Sequence, residues 1–111
     1  MKPESRAYSS YSRDALTLLA QIIRRARIER KLTTQELADR AGISRGLVQR
    51  IERGDPGCAI GAVFETAAIV GVRLFDADQP TMAAHLSANS ATLALLPKSV
   101  RRSRGSVKDD F

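Results

Sequence analysis

Tryptophan is absent, and the two Tyr and three Phe make aromatics only 5% of the chain. A core without large rings has to be packed from Ala, Leu, Ile and Val, which suits closely packed helices better than a β-sandwich. Cysteine is nearly absent too. Cys58 alone excludes an intrachain disulfide and cannot build a zinc site. It fits a reducing compartment and reads as a small, partly buried side chain, with a redox switch as the other reading. The single histidine, His85, stands in an Ala-rich stretch, so neither a catalytic triad nor a metal cluster can be assembled around it. No Gly-rich phosphate loop is present. These gaps predict a protein that is not an enzyme and uses no cofactor or metal. No apolar run approaches the ~18–20 residues that span a bilayer, and the polar segment 1–12 lacks a secretory apolar stretch. The expectation is a soluble, cytoplasmic chain without a membrane partner.

What is abundant is positive charge. Eighteen Lys and Arg against 12 Asp and Glu leave a net charge of +6. Such a balance favours an anionic partner, whether nucleic acid, membrane or an acidic protein, or else reflects a well-solvated basic surface. At 111 residues and 43% apolar content, the chain suits one small domain with tails.

Residues 1–12 show no periodicity and read as a flexible arm; 13–90 read as the folded domain, and 91–111 as a basic, partly disordered extension. Within the domain, apolar spacing predicts five helices and an all-α fold. The first runs from Asp14 to Arg30, with Leu16, Leu19, Ile23 and Ala26 inward and Ala15, Leu18 and Ile22 widening the stripe. Thr33 and Glu36 have capping-box spacing and open a short second helix with Leu37, Ala38 and Ala41 inside. Gly42 ends it, because a residue without Cβ enters the left-handed conformation of a C-cap freely. Ile43 packs inward, and Ser44 caps a third helix reaching about Arg53, with Val48 and Ile51 buried and Gly54 as its stop. Asp55-Pro56-Gly57 is a turn signature. A fourth helix, Ile60–Val70, turns Val63, Phe64, Ala67 and Ile69 inward. A fifth, from about Gln79 to Asn89, carries Pro80 in its first turn and Met82, Ala83 and Leu86 inside. Leu93–Leu96 read as a helix end or a short strand. From Pro97 the chain is basic and aperiodic, a tail for phosphates, for a protein partner through Phe111, or for solubility alone.

Two short helices joined through a glycine turn are the raw material for reading DNA. Such a pair lays its second helix in the major groove while the first crosses the backbone. The outer face of that helix carries Arg45, Gln49, Arg50 and Arg53, with Gly46 as a gap. Arg donates bidentately to guanine O6 and N7, and Gln matches adenine N6 and N7. Arg45 and Gln49, four apart, share one face and are assigned to base reading. Arg50 reads bases or holds phosphate. Thr34, Gln35, Ser44 and Arg53 are assigned to phosphates.

The run Ile23-Arg24-Arg25-Ala26-Arg27, with Leu32-Thr33-Thr34-Gln35-Glu36-Leu37-Ala38, Ala41-Gly42-Ile43-Ser44 and Ile51-Glu52-Arg53-Gly54, resembles the Xre and phage-repressor helix-turn-helix family over about Asp14–Phe75. The resemblance implies a five-helix domain, homodimeric binding to palindromic operators, and a buried ion pair, here Arg27 with Glu52. An acid beside Ile51 needs a partner if it is buried; the alternative is an exposed Glu52 with Arg27 on phosphate. One departure stands out. The family places Gln at the first turn of the second helix, where this chain has Thr34, with Gln35 about 100° further round.

A narrower resemblance joins Gly54-Asp55-Pro56, Ile60-Gly61-Ala62-Val63-Phe64-Glu65, Gly71-Val72-Arg73-Leu74-Phe75, Leu96-Pro97-Lys98 and Asp109-Asp110-Phe111. It is similar to HipB-type antitoxins, which repress their own operon and hold a HipA-type serine/threonine kinase toxin. The resulting expectation is a homodimeric, DNA-binding transcriptional repressor that is also a type II antitoxin. The alternatives are a stand-alone Xre-type regulator and a protein-interaction module that no longer reads DNA. Helices four and five with Leu93–Leu96 are the expected dimer surface.

Overall fold

The computed structural model describes residues 7–102. Residues 1–6 of the expected arm, and Arg104, Lys108 and Phe111 of the expected tail, lie outside the described residues. Among the described residues there are five α-helices and no strand: α1 Ser10–Glu29, α2 Thr34–Ala41, α3 Arg45–Glu52, α4 Ile60–Ile69 and α5 Gln79–Ala94. The all-α class expected from composition and periodicity is the class observed. The chain divides into two compact units, Met1–Asp76 and Ala77–Phe111.

The first unit holds α1–α4 and a single 3₁₀ turn, Leu74–Asp76. Its core is Ile23 from α1, Leu37 and Ala38 from α2, Val48 and Ile51 from α3, and Ala67 with Val70 from the end of α4. Ala38 and Ala67 are fully buried, and their small side chains let the helices approach closely. Thr66 is also fully buried. Its hydroxyl donates to the Ala62 carbonyl at 2.8 Å, so the polar group carries no desolvation penalty unpaid by a bond.

Each helix boundary has a local cause. The Thr33 hydroxyl accepts from the Glu36 amide at 3.0 Å, and the Glu36 carboxylate accepts from the Thr33 amide at 2.9 Å, completing the capping box. Gly42 closes α2 at φ 70°, in the left-handed region. Ser44 caps α3 by accepting from the Leu47 amide at 3.1 Å. Gly71 follows α4 at φ 81°, and a Cβ there would run into the Arg30 guanidinium. That guanidinium donates to the Val70 carbonyl at 2.7 Å, satisfying the end of α4 from α1.

Several expectations need correction. α1 starts at Ser10, not Asp14, because Ser9 caps it by accepting from the Ser12 amide at 3.2 Å; Ser10–Ser12 are helix rather than arm. Ala15, Leu18 and Ile22 do not widen the buried stripe. They lie on the solvent side, with Leu18 57% and Ile22 41% exposed. The helix buries a face only as wide as its contact with the other helices, and periodicity does not report that width. In α4, Val63, Phe64 and Ile69 are half-buried while Thr66 and Val70 are fully buried. Phe75 is exposed at φ 54°, its ring edge-on to Phe64 with centroids 6.3 Å apart.

The second unit is built on α5. Asp78 caps it by accepting from the Thr81 amide at 2.9 Å, and Pro80 sits in its first turn as expected. The helix runs past Asn89 to Ala94, so Leu93 and Ala94 belong to a helix end rather than a strand. Of its expected inward residues, Met82 is half-buried, while Ala83 and Leu86 are exposed. Apolar residues are spread around α5, so no single side is marked for burial, and the sequence overstated its one-sidedness.

Candidate nucleic-acid interface

α3 is anchored by two buried residues and presents the opposite side to solvent. Val48 and Ile51 lie in the core, while Arg45, Gly46, Gln49, Arg50 and Arg53 are all exposed. Arg45, Gln49 and Arg53 recur every four residues and so form one stripe along the helix. Arg45 and Gln49 therefore share a face, as the spacing predicted. Arg50 stands to one side, and its position is set by the following turn. Its Nε donates to Asp55 Oδ2 at 2.9 Å, while Asp55 Oδ1 accepts from the Gly57 amide at 2.8 Å. The hydrogen bond from Arg50 is the largest of the effects holding the Asp55 carboxyl below its ordinary value, with the Gly57 amide adding to it. Cys58 lies near this cluster, and burial pushes its thiol up against the pull of Arg50 and Arg53.

Beside the stripe lies a polar cleft of about 380 Å³, lined by Arg24, Arg27, Thr34, Gln49, Glu52 and Arg53. Its walls come from three helices. The Arg27–Glu52 pair lies within it, with Nε to Oε2 at 2.7 Å and Nη2 to Oε1 at 3.0 Å. The side chains are 12% and 7% exposed, so the ion pair expected from the resemblance is formed and largely buried. The hydrogen bond to Glu52 is the leading cause of a raised Arg27 pKa, opposed by burial. Since Arg27 and Glu52 neutralise each other, the charge left over in the cleft is that of Arg24 and Arg53. Neither guanidinium has a hydrogen bond or ion pair among the described residues. The cleft is thus a cationic hollow bordered by the hydroxyl of Thr34 and the amide of Gln49.

The structure brings together Thr34, Gln49 and Arg53, three of the residues singled out in sequence. It sets two others apart. Gln35 turns along α2, its Nε2 donating to Asp39 Oδ1 at 2.9 Å. Ser44 uses its hydroxyl as the α3 cap. Arg24 was missed as a site residue. It precedes Arg27 by three positions, one helical turn, and that spacing was the available signal.

Residues 18–85 match the family model described as a helix-turn-helix domain. The chain belongs to this helix-turn-helix family. No curated protein and no solved structure matches it. The match spans α2, the Gly42 turn, α3 and α4 together with most of α1 and the first part of α5. A helix-turn-helix domain with a cationic outer face on its second helix is the equipment of a DNA-binding regulator. Among the described residues, no helix of this helix-turn-helix protein is long and apolar enough to cross a membrane, and no three His, Cys, Asp or Glu side chains gather as a metal site.

Proposed function

We propose that the chain is a sequence-specific transcriptional repressor that binds palindromic double-stranded DNA as a homodimer. The observation that carries this reading is the stripe Arg45–Gln49–Arg53 on a helix whose opposite side is locked in the core. α3 enters the major groove with Arg45 and Gln49 on base edges. Arg50 joins them from the side, steadied by Asp55. Thr34, with Arg53 and the newly placed Arg24, grips a backbone phosphate in the cleft, while Gln35 and Ser44 stand along the same backbone. Two copies bring their recognition helices about 34 Å apart, one turn of DNA.

Selection from a random duplex pool gives the operator, and a gel-shift series on it tests the reading. Replacing Arg45 and Gln49 together by Ala is expected to weaken operator binding at least tenfold, since each bidentate contact discriminates by about 1–3 kcal/mol. Unchanged affinity overturns the assignment.

A finer reading makes the same protein a HipB-type antitoxin holding a HipA-type serine/threonine kinase toxin. It is favoured by the segments quoted above and by one observation, the exposed Leu86, Leu93, Leu95 and Leu96 in and after α5. Several exposed leucines in one short segment suit a protein partner. Co-expression with a neighbouring kinase-like reading frame is the test: co-purification supports the antitoxin, and its failure leaves the stand-alone regulator.

A further inference from the structure

Gly46 is the second residue of α3. It is not among the glycines with positive φ, so the backbone there does not call for glycine. A Cβ built at the position meets only the Ser44 Oγ, at 3.9 Å, an ordinary contact. Among the described residues nothing packs against the site, and the residue is exposed. Inside a helix, glycine is less favourable than alanine because it has more backbone freedom to lose on folding. For a helix of eight residues, nothing among the described residues offsets that loss in the free protein.

The surroundings of the gap point outward. Gln49 and Arg50 follow Gly46 by three and four residues and so stand next to it on the helix surface. Arg45 precedes it. The result is a gap one side chain wide in the outer surface of α3, floored by helix backbone, with Arg45 before it and Gln49 and Arg50 a turn further on. Side chains able to donate to base edges therefore flank, along the helix, a spot where the backbone itself lies open. The first turn of a recognition helix is the part that approaches base edges most closely. Among the groups displayed in the major groove, the apolar one that protrudes is the thymine C5-methyl.

We infer that Gly46 is a specificity-determining residue, and that its missing side chain admits the C5-methyl of a thymine against the α3 backbone. This rests on the DNA reading proposed above. Arg45, Gln49 and Arg50 supply polar readout along the same helix, and the gap at Gly46 adds an apolar, shape-based requirement for one base pair per half-site.

The test uses the full chain, the duplex it selects from a random pool, and the variant Gly46→Ala. Thermal melting of the variant is expected to rise by about 2–4 °C. Its affinity for the selected duplex is expected to fall about tenfold, while its affinity for random duplex stays within about twofold. Thymines of the selected duplex are then replaced by uracil one at a time, removing only the methyl. At one position per half-site, uracil should weaken the wild type and strengthen Gly46→Ala. A lowered melting temperature shows that the glycine serves the fold and overturns the inference. So does unchanged affinity for the selected duplex, or the absence of any thymine at which the two proteins show opposite preferences. If the wild type selects no sequence at all, the DNA reading itself fails, which is a distinct result from selection followed by an indifferent Gly46→Ala.

Discussion

Arg27 and Glu52, 25 residues apart in the chain, meet through two parallel hydrogen bonds of 2.7 and 3.0 Å. The remaining end of the guanidinium donates to the Leu32 carbonyl at 2.8 Å. One planar group therefore fixes α1, the connection to α2 and the last turn of α3 together. The rigid fork of Arg suits this three-way bond, whereas the single ammonium of Lys does not.

Removing one member of this pair leaves the other charge largely buried and alone. Glu52→Ala is expected to destabilise the first unit by about 3–5 kcal/mol. Arg27→Lys should also lose stability, because it cannot hold both carboxylate oxygens and the Leu32 carbonyl. Urea melts of the two variants check this. A loss below about 1 kcal/mol for Glu52→Ala would show that water reaches the pair freely.

The capping box at the head of α2 makes a smaller, local contribution. Thr33→Ala removes the acceptor for the Glu36 amide and should cost about 1 kcal/mol. Glu36→Ala removes the reciprocal bond. Because both act on one helix start, the double variant should lose less than the sum of the two, and a double-mutant cycle reads the difference.

Arg24 supplies charge to the cleft without a hydrogen-bonding partner among the described residues. Arg24→Ala should leave the melting temperature nearly unchanged and weaken binding to all duplexes alike. Each phosphate contact contributes about 0.9 to the slope of log affinity against log salt, so the slope should fall by about that amount. A loss confined to the selected duplex would instead make Arg24 a base reader.

The turn after α3 predicts a pH effect of definite sign. Asp55 has a folded pKa below its ordinary 3.8, chiefly through the Arg50 hydrogen bond. A depressed carboxyl contributes stability that is complete above the unfolded value and is lost as pH falls through the folded one. The Arg50–Asp55 bond should thus persist at neutral pH and open only in acid below 3.8. Carbon-detected titration of the Asp55 carboxyl should show a midpoint under 3.8 that moves upward in Arg50→Ala. A wild-type midpoint at or above that value contradicts the geometry.

Gly71 carries a strict steric demand. It holds φ 81° beside the Arg30 guanidinium that completes α4. Gly71→Ala should cost about 1–2 kcal/mol from the left-handed backbone alone, with further loss if Arg30 must leave the Val70 carbonyl. Arg30→Ala combined with Gly71→Ala separates the two contributions in thermal melts.

What was legible in the sequence was mostly local. Thr33 with Glu36, Gly42 and Ser44 act within four residues of themselves, and each does in the structure what its spacing predicted. That Arg45 and Gln49 share one exposed face followed from helical period alone. Arg27 with Glu52 is a contact across 25 residues, and it came from family resemblance rather than from spacing. What escaped depended on tertiary surroundings. The exposure of Leu18 and Ile22 is decided by how far the neighbouring helices extend. Arg24 gained a role only when α1, α2 and α3 enclosed a common cleft. α5 had enough apolar residues to suggest a buried face, but they are spread around its circumference.

The two arginines at opposite ends of α3 differ in how much freedom they retain. Arg50 is already held by Asp55, so its rotamers are narrowed before any partner arrives. The Arg45 side chain has no hydrogen bond or ion pair among the described residues and must be ordered during binding, at an entropic cost of about 0.5–1.5 kcal/mol for a side chain of this kind. An anion that engages Arg50 meets a preorganised donor, whose carboxylate companion it must share or displace. The heat and entropy of association should therefore be divided unevenly along the helix, with ordering concentrated at its N-terminal end.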